Sequence, residues 1–183
     1  MRYRGSLLVG VGLVLTACGS KPAVDEKNAI VVEVSQKVRE ASHDQGLISP
    51  GKWQSSVTIE EVSMPGLPQE TAEHMKKMLT RTHTTETCLT PEEVKQPKAG
   101  FFGGDDHCRY DHFTMKGGKI DAEMRCERDG MTQAMQMSGT YSPNAYTMHM
   151  TSTQRGGPSE EGNVSMKMKV DAKRIGACTG KEA

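Results

Sequence analysis

The chain has 183 residues, and its 23 basic side chains balance 23 acidic ones, so it carries no formal net charge at neutral pH. That balance excludes a polybasic protein of the nucleic-acid-binding kind, and the length suits one domain with a modest core. Three Phe, four Tyr and one Trp are few to fill such a core, so a small domain of this kind is expected to use covalent support.

Arg2 and Arg4 precede an apolar stretch from Leu7 to Leu15, which leads into Leu15-Thr16-Ala17-Cys18-Gly19-Ser20. This reads as a secretory leader over 1–17, too short in its apolar part for the roughly 20 residues of a membrane span. Leu15-Thr16-Ala17-Cys18 resembles the lipobox of bacterial lipoproteins, which implies cleavage before Cys18 and a lipid on its sulfur. The expectation is a chain held to a membrane through Cys18. Gly19 and Ser20 lack the aspartate that favours inner-membrane retention in such proteins, so the outer membrane, facing the periplasm, is the expected site. Without Arg2 and Arg4, 21 of the 23 basic residues remain against 23 acidic ones, a net charge of −2.

Residues 18–28 are polar, contain Pro22, and are expected to form a lipidated tether without fixed structure. Ile30, Val34, Val38 and Ala41, with Val31 beside them, predict a helix from about Ala29 to Ala41 within a segment 29–46. From Lys52 to Val62, Trp53, Val57 and Ile59 share one parity and Gln54, Ser56, Thr58 and Glu60 the other, as in a half-buried strand. Pro65-Gly66-Leu67-Pro68 ends it, and a short helix over Gln69 to Thr80 is expected to turn Ala72, Met75, Met78 and Leu79 inward.

Beyond Cys108 the pattern is strand, turn, strand. Lys116-Gly117-Gly118-Lys119 suits a two-residue hairpin loop, since glycine accepts the positive φ such turns need. With Lys116 opposite Lys119, Phe113 and Met115 meet Ala122 and Ile120 on an apolar face shared with Met124 and Cys126, and Tyr110, His112 and Thr114 look away. Asp129-Gly130 and Ser142-Pro143-Asn144-Ala145 make further turns. Pairing Tyr141 with Tyr146 sets Met137 against Met150 and Gly139 against Met148. A last strand carries Val164, Met166, Met168 and Val170 on one parity, after a Gly156 to Gly162 loop. The whole predicts a mainly β domain over 47–178, an antiparallel meander curled into a partial barrel or sandwich-like form with one or two short helices, and a tail over 179–183.

Lipid on Cys18 leaves four of the five cysteines, an even number in an oxidising compartment. The hairpin register sets Cys108 opposite Glu127 and Cys126 opposite Arg109, with the two sulfurs on opposite faces, which disfavours a Cys108–Cys126 bond. Cys126 shares the apolar face with the parity of Cys178, so the expected pairs are Cys88–Cys108 and Cys126–Cys178. No two cysteines stand at the close spacing of a zinc knuckle or a thioredoxin-like pair.

Pro50-Gly51-Lys52-Trp53, Cys88-Leu89-Thr90-Pro91-Glu92-Glu93, Cys108, Cys126, Gly139-Thr140-Tyr141 and Ile175-Gly176-Ala177-Cys178 together resemble an uncharacterised family of exported bacterial proteins, domain of unknown function 3617. The resemblance runs from about Leu47 to Cys178 and brings no activity and no catalytic residue with it.

Thirteen methionines stand out. Met135, Met137, Met148, Met150, Met166 and Met168 flank single polar residues, as in the methionine motifs of periplasmic copper handlers, whose thioethers suit Cu(I). In a strand, however, His149 points away from Met148 and Met150, and the methionines become flexible core fillers on one face. Asp105-Asp106-His107 and Asp111-His112 read as solvated polar groups rather than ligands. No nucleophile elbow, helical zinc pair or phosphate-cradling loop occurs. The expected function is therefore a non-enzymatic envelope lipoprotein, without cofactor, that binds or scaffolds at the membrane. A Cu(I)-binding protein and a hydrophobic-ligand carrier are the alternatives. A lined cavity favours the carrier, a filled methionine core removes it, and an exposed cluster of thioethers favours copper.

Overall fold

Two local turns set the frame of the sheet. Gly117 and Gly118 take φ of +55° and +76° between β4 (Cys108–Lys116) and β5 (Lys119–Arg128). Asp129 and Gly130, at +52° and +75°, do the same between β5 and β6 (Met131–Ser142). Positive φ at both central residues is the hairpin geometry whose twist matches that of the strands. The computed structural model describes residues 23–95, 106–156 and 163–180. The leader, Cys18 and Asp105 lie outside the described residues, as does most of the Gly156 to Gly162 loop.

Before the hairpins come β1 (Val24–Ile30), α1 (Val31–Gln45), β2 (Gly51–Ser63), α2 (Gln69–Leu79), β3 (Thr82–Leu89) and α3 (Pro91–Lys95); β7 (Ala145–Gly156) and β8 (Val164–Gly176) follow β6. Among the described residues the eight strands make one open antiparallel sheet, ordered β1-β4-β5-β6-β7-β8-β2-β3. Five consecutive strands, β4 to β8, form the expected meander, and the chain before them adds β1 at one edge and β2 with β3 at the other.

The core lies between α1 and the β1–β4–β5 side. Val31, Val34, Val38 and Ala41 recur at helical spacing and are buried with Tyr110, Phe113, Met115, Ala122 and Met124. Glu33 reaches back to the Ile30 amide (3.1 Å), closing the helix start, and Gly46 ends it at φ +59°. Ile30 itself is the last residue of β1. α3 touches α1 although its parent strand β3 stands at the far edge, so the sheet is curled rather than flat.

Several expectations are corrected here. The tether does not extend to residue 28: Val24 to Ile30 pairs with β4, Val24 opposite Met115 and Ala29 opposite Tyr110. Edge strands are commonly charged, and Asp25, Glu26 and Lys27 disguise this one. β1 and α1 share the core of the β-domain and are not a separate segment before residue 47. α2 forms as predicted but buries none of its residues, and Met78 is 52% exposed. It leans on β2.

The disulfides are Cys88–Cys178 and Cys108–Cys126, not Cys88–Cys108 and Cys126–Cys178. The cause is one extra residue in β4. Phe113–Ala122 and Met115–Ile120 pair as the Gly-Gly turn requires, but the register shifts between Tyr110 and His112, and Cys108 then faces Cys126 across a Cα separation of 4.0 Å. Asp111 is the bulged residue, its carboxylate turned out to Arg125 at 2.8 Å. The same shift turns Tyr110 inward, against the outward placement read from parity; it is fully buried, edge-on to Phe113 at 5.2 Å. Burial pushes its phenol up to about 12.

Candidate functional site

Residues that pair directly across antiparallel strands share a face, so the registers locate every methionine. Met137 opposes Met150, which opposes Met168, which opposes Ile59. One row along, Met135 opposes Ser152, Ser152 opposes Met166, and Met166 opposes Val62. On the other side Gly139 opposes Met148, Met148 opposes Val170, and Val170 opposes Val57. All six methionines singled out from the sequence therefore lie on the inner face, the one that α1 covers further along.

A gradient of burial crosses that face. Over β4 and β5, Phe113, Met115, Ala122 and Met124 are buried beneath α1. Over β6 to β8 and β2, Met135, Met137, Met148, Met150, Met166, Met168, Val57, Ile59 and Val170 are only half-buried. The side chains that α1 cannot reach thus form a trough, neither a filled core nor a solvent-facing surface. Its inner positions from Met131 to Tyr141, Tyr146 to Gln154 and Val164 to Ala172 hold no charged residue. The few polar groups sit toward one end, where Gln133 Nε2 donates to Ser152 Oγ (3.0 Å).

The other end is closed by tight, specific contacts. Trp53 is buried, its Nε1 donates to the Ser49 carbonyl (3.0 Å), and its ring lies 6.0 Å from that of Tyr146. Arg174 Nε donates to the Pro50 carbonyl (2.7 Å), crossing Gly51 where a Cβ would meet the guanidinium at 2.5 Å. The Cys88–Cys178 bridge then ties the end of β3 to the segment after β8. Thr90 caps α3: its Oγ1 accepts from the Glu93 amide (3.2 Å), and Glu93 accepts in return from the Thr90 amide (3.1 Å), with Pro91 at the first helical position. Gly139 leaves room for a neighbour, since a Cβ there would stand 2.7 Å from the Met148 sulfur. Pro50 to Trp53, Cys88 to Glu93, Gly139 and Cys178 consequently have architectural roles.

The outer face is polar and ion-paired. Glu61 with Lys167 (2.6 Å), Lys169 with Asp171 (2.9 Å) and Lys52 with Glu86 (2.7 Å) run across β8, β2 and β3. The hydrogen bond from Lys167 holds the Glu61 carboxyl below its ordinary range, and Lys169 with Thr147 does the same for Asp171. His149 stands on this face opposite Ser138 and Lys169, away from the methionines. His112 pairs with Asp121 at 2.7 Å. Among the described residues no group of three or more His, Cys, Asp and Glu side chains could hold a metal ion, and no helix is long and apolar enough to cross a membrane.

Parity puts the methionines on one face, as the registers show, but the expectation that they fill the core is corrected: Met135, Met137, Met148, Met150, Met166 and Met168 are only half-buried, because α1 does not cover them. Sequence reasoning missed β3, whose threonines show no alternation, and it could not see that α1 stops short of β7. A family model described as a protein of unknown function matches residues 48–178. Neither a curated protein nor a solved structure matches the chain.

Proposed function

The chain belongs to the DUF3617 family of proteins of unknown function, and we propose that it is a non-enzymatic envelope lipoprotein, anchored through lipid on Cys18, whose trough holds an extended apolar chain. The carrying observation is the half-covered inner face: six methionines on three adjacent strands, with no charge among them. Unbranched thioether side chains adapt to a flexible occupant better than branched ones, and they recur at permissive apolar binding surfaces. A lipid acyl chain is the occupant that the anchor favours. Cys18 stands five residues before Ala23, where the described fold begins, a reach of at most about 17 Å. The domain would be held close to a source of acyl chains at all times. The architectural roles of Gly51, Trp53, Pro91 and the four paired cysteines fit a binding fold rather than a reaction centre.

Titration of the chain from Gly19 onward with a fluorescent polyene fatty acid tests this. Saturable binding is expected, and Met150→Glu, which sets a carboxylate in the middle of the trough, should weaken it at least about tenfold. Absence of saturable binding, or binding indifferent to Met150→Glu, would overturn the reading. The row Met137–Met150–Met168 favours one second reading, a soft-metal site for Cu(I). The two separate on chemistry, because leucine replaces methionine for an acyl chain and cannot do so for a thioether ligand.

A further inference from the structure

The chain coming from Cys18 enters the fold at one end of the sheet. The Ala23 amide donates to the Met115 carbonyl (2.8 Å), which sets the entry beside Lys116 and the Gly117-Gly118 turn. Backbone bonds link the other loops of that end to the turn: Tyr141 donates to the Gly118 carbonyl (2.8 Å), Arg174 to that of Asn144 (2.9 Å) and Ser49 to that of Pro143 (2.7 Å). Along this rim, from β4 to β8, stand Lys116, Lys119, Lys173 and Arg174, all exposed. Lys116, Lys119 and Lys173 pair with no carboxylate among the described residues. Nearby carboxylates are engaged, Asp171 by Lys169 and Thr147, Glu86 by Lys52 and Glu93 by the Thr90 amide. That leaves Glu92, three residues before Lys95 on α3. Ile175 adds an apolar side chain to the rim and is 41% exposed. Toward the opposite end the cations are matched instead, Arg125 by Asp111 and Glu123 and Lys167 by Glu61.

We infer that this rim is the face by which the domain rests on the anionic phospholipid surface of its own membrane, with Lys116, Lys119, Lys173 and Arg174 at the lipid phosphates and Ile175 beside them. The inference rests on the reading of Cys18 as the lipid-bearing residue and does not involve the trough. Five residues separate Cys18 from Ala23 and reach at most about 17 Å, so the bilayer stays close to Lys116. A lysine within a Debye length of an anionic bilayer, about 8 Å, favours contact roughly fivefold. The chain after Ala17 carries a net charge of −2, so such a surface repels the protein as a whole and only a local cluster can turn one end toward it. The lipid supplies the hold, and the cluster sets which end faces down. An acidic protein would meet the same cations, but the bilayer is the anionic surface that the chain itself holds beside them.

Lysine footprinting on a tethered protein decides the matter. The chain from Cys18 onward, which includes every described element, is coupled through the Cys18 thiol to a maleimide lipid, the other four cysteines being bridged. The vesicles are of phosphatidylcholine alone, or of phosphatidylcholine and phosphatidylglycerol in equal parts, and a water-soluble acetylating reagent reads the lysines. On the anionic vesicles Lys116, Lys119 and Lys173 should be modified at least about threefold more slowly than on the neutral ones. Lys76 and Lys77 of α2, which follows β2 at the opposite end, should react alike on both, and high salt should remove the difference. Equal rates for Lys116, Lys119 and Lys173 on the two surfaces, protection of Lys76 and Lys77 to the same degree, or a difference that survives high salt overturns the inference. The coupling is synthetic, so failure of the lipid reading itself shows separately, in the membrane fractionation of Cys18→Ser.

Discussion

Met150 sits at the centre of the row that runs from Met137 to Met168, and single side chains there separate the candidate functions. A triple variant, Met137→Leu with Met150→Leu and Met168→Leu, conserves volume and should cost under about 1.5 kcal/mol per site in a denaturant melt. It should keep its affinity for a fatty acid. Cu(I) competition titrations on the parent and the triple variant form the other arm: tight Cu(I) binding lost in the variant would replace the acyl-chain reading with the metal one. Truncation is more costly where burial is complete. Met124→Ala, on a side chain 1% exposed beneath α1, should cost roughly 2 to 5 kcal/mol, against a smaller loss for Met150→Ala in the half-open trough. Equal losses at the two positions would mean that the trough is as tightly packed as the core.

The elements show where a sequence can be read and where it cannot. The Gly117-Gly118 turn was legible because a two-residue loop with positive φ fixes the register around it, and Lys116 does oppose Lys119. Met137 opposite Met150 followed in the same way from the turn at Pro143-Asn144. The bulge at Asp111 was not legible, since an extra residue in a strand has no compositional mark, and every parity argument beyond it came out inverted. Cys108 and Tyr110 paid the consequence. Deleting Asp111 should therefore keep the bond: without the extra residue a regular β4 sets Tyr110 opposite Met124 and Cys108 opposite Cys126, and alkylation under denaturing conditions should find no free thiol. Two free thiols in that deletion would mean that Asp111 is not the extra residue that sets the register. Of the two bridges, Cys88–Cys178 spans 90 residues and Cys108–Cys126 spans 18. The chain-entropy account gives about 4.6 and about 3.2 kcal/mol respectively, so replacing Cys88 and Cys178 by Ala should lower stability by roughly 4 to 5 kcal/mol. β3 and α2 escaped or misled the reading for a different reason: β3 is polar on both faces, and the apolar face of α2 lacks the covering its periodicity implied.

On the scale of the whole molecule, one open sheet, one helix laid across half of its inner face, and an anchor five residues away form a single proposal. Cys18→Ser should leave the protein unprocessed or release it from membranes; a variant that is processed and still fractionates with membranes would remove the anchor from the account. The central claim, that the uncovered methionine face holds an apolar chain, is tested most directly by photocrosslinking. The protein is loaded with a diazirine-bearing fatty acid, irradiated, and the labelled peptides are sequenced. Labels concentrated on Met148 to Ser152, Met166 to Val170 and Val57 to Ile59, and competed away by unlabelled fatty acid, are the predicted result. Labels spread over the outer face, on Lys167, Lys169 and His149, or labelling that excess fatty acid does not diminish, would contradict it.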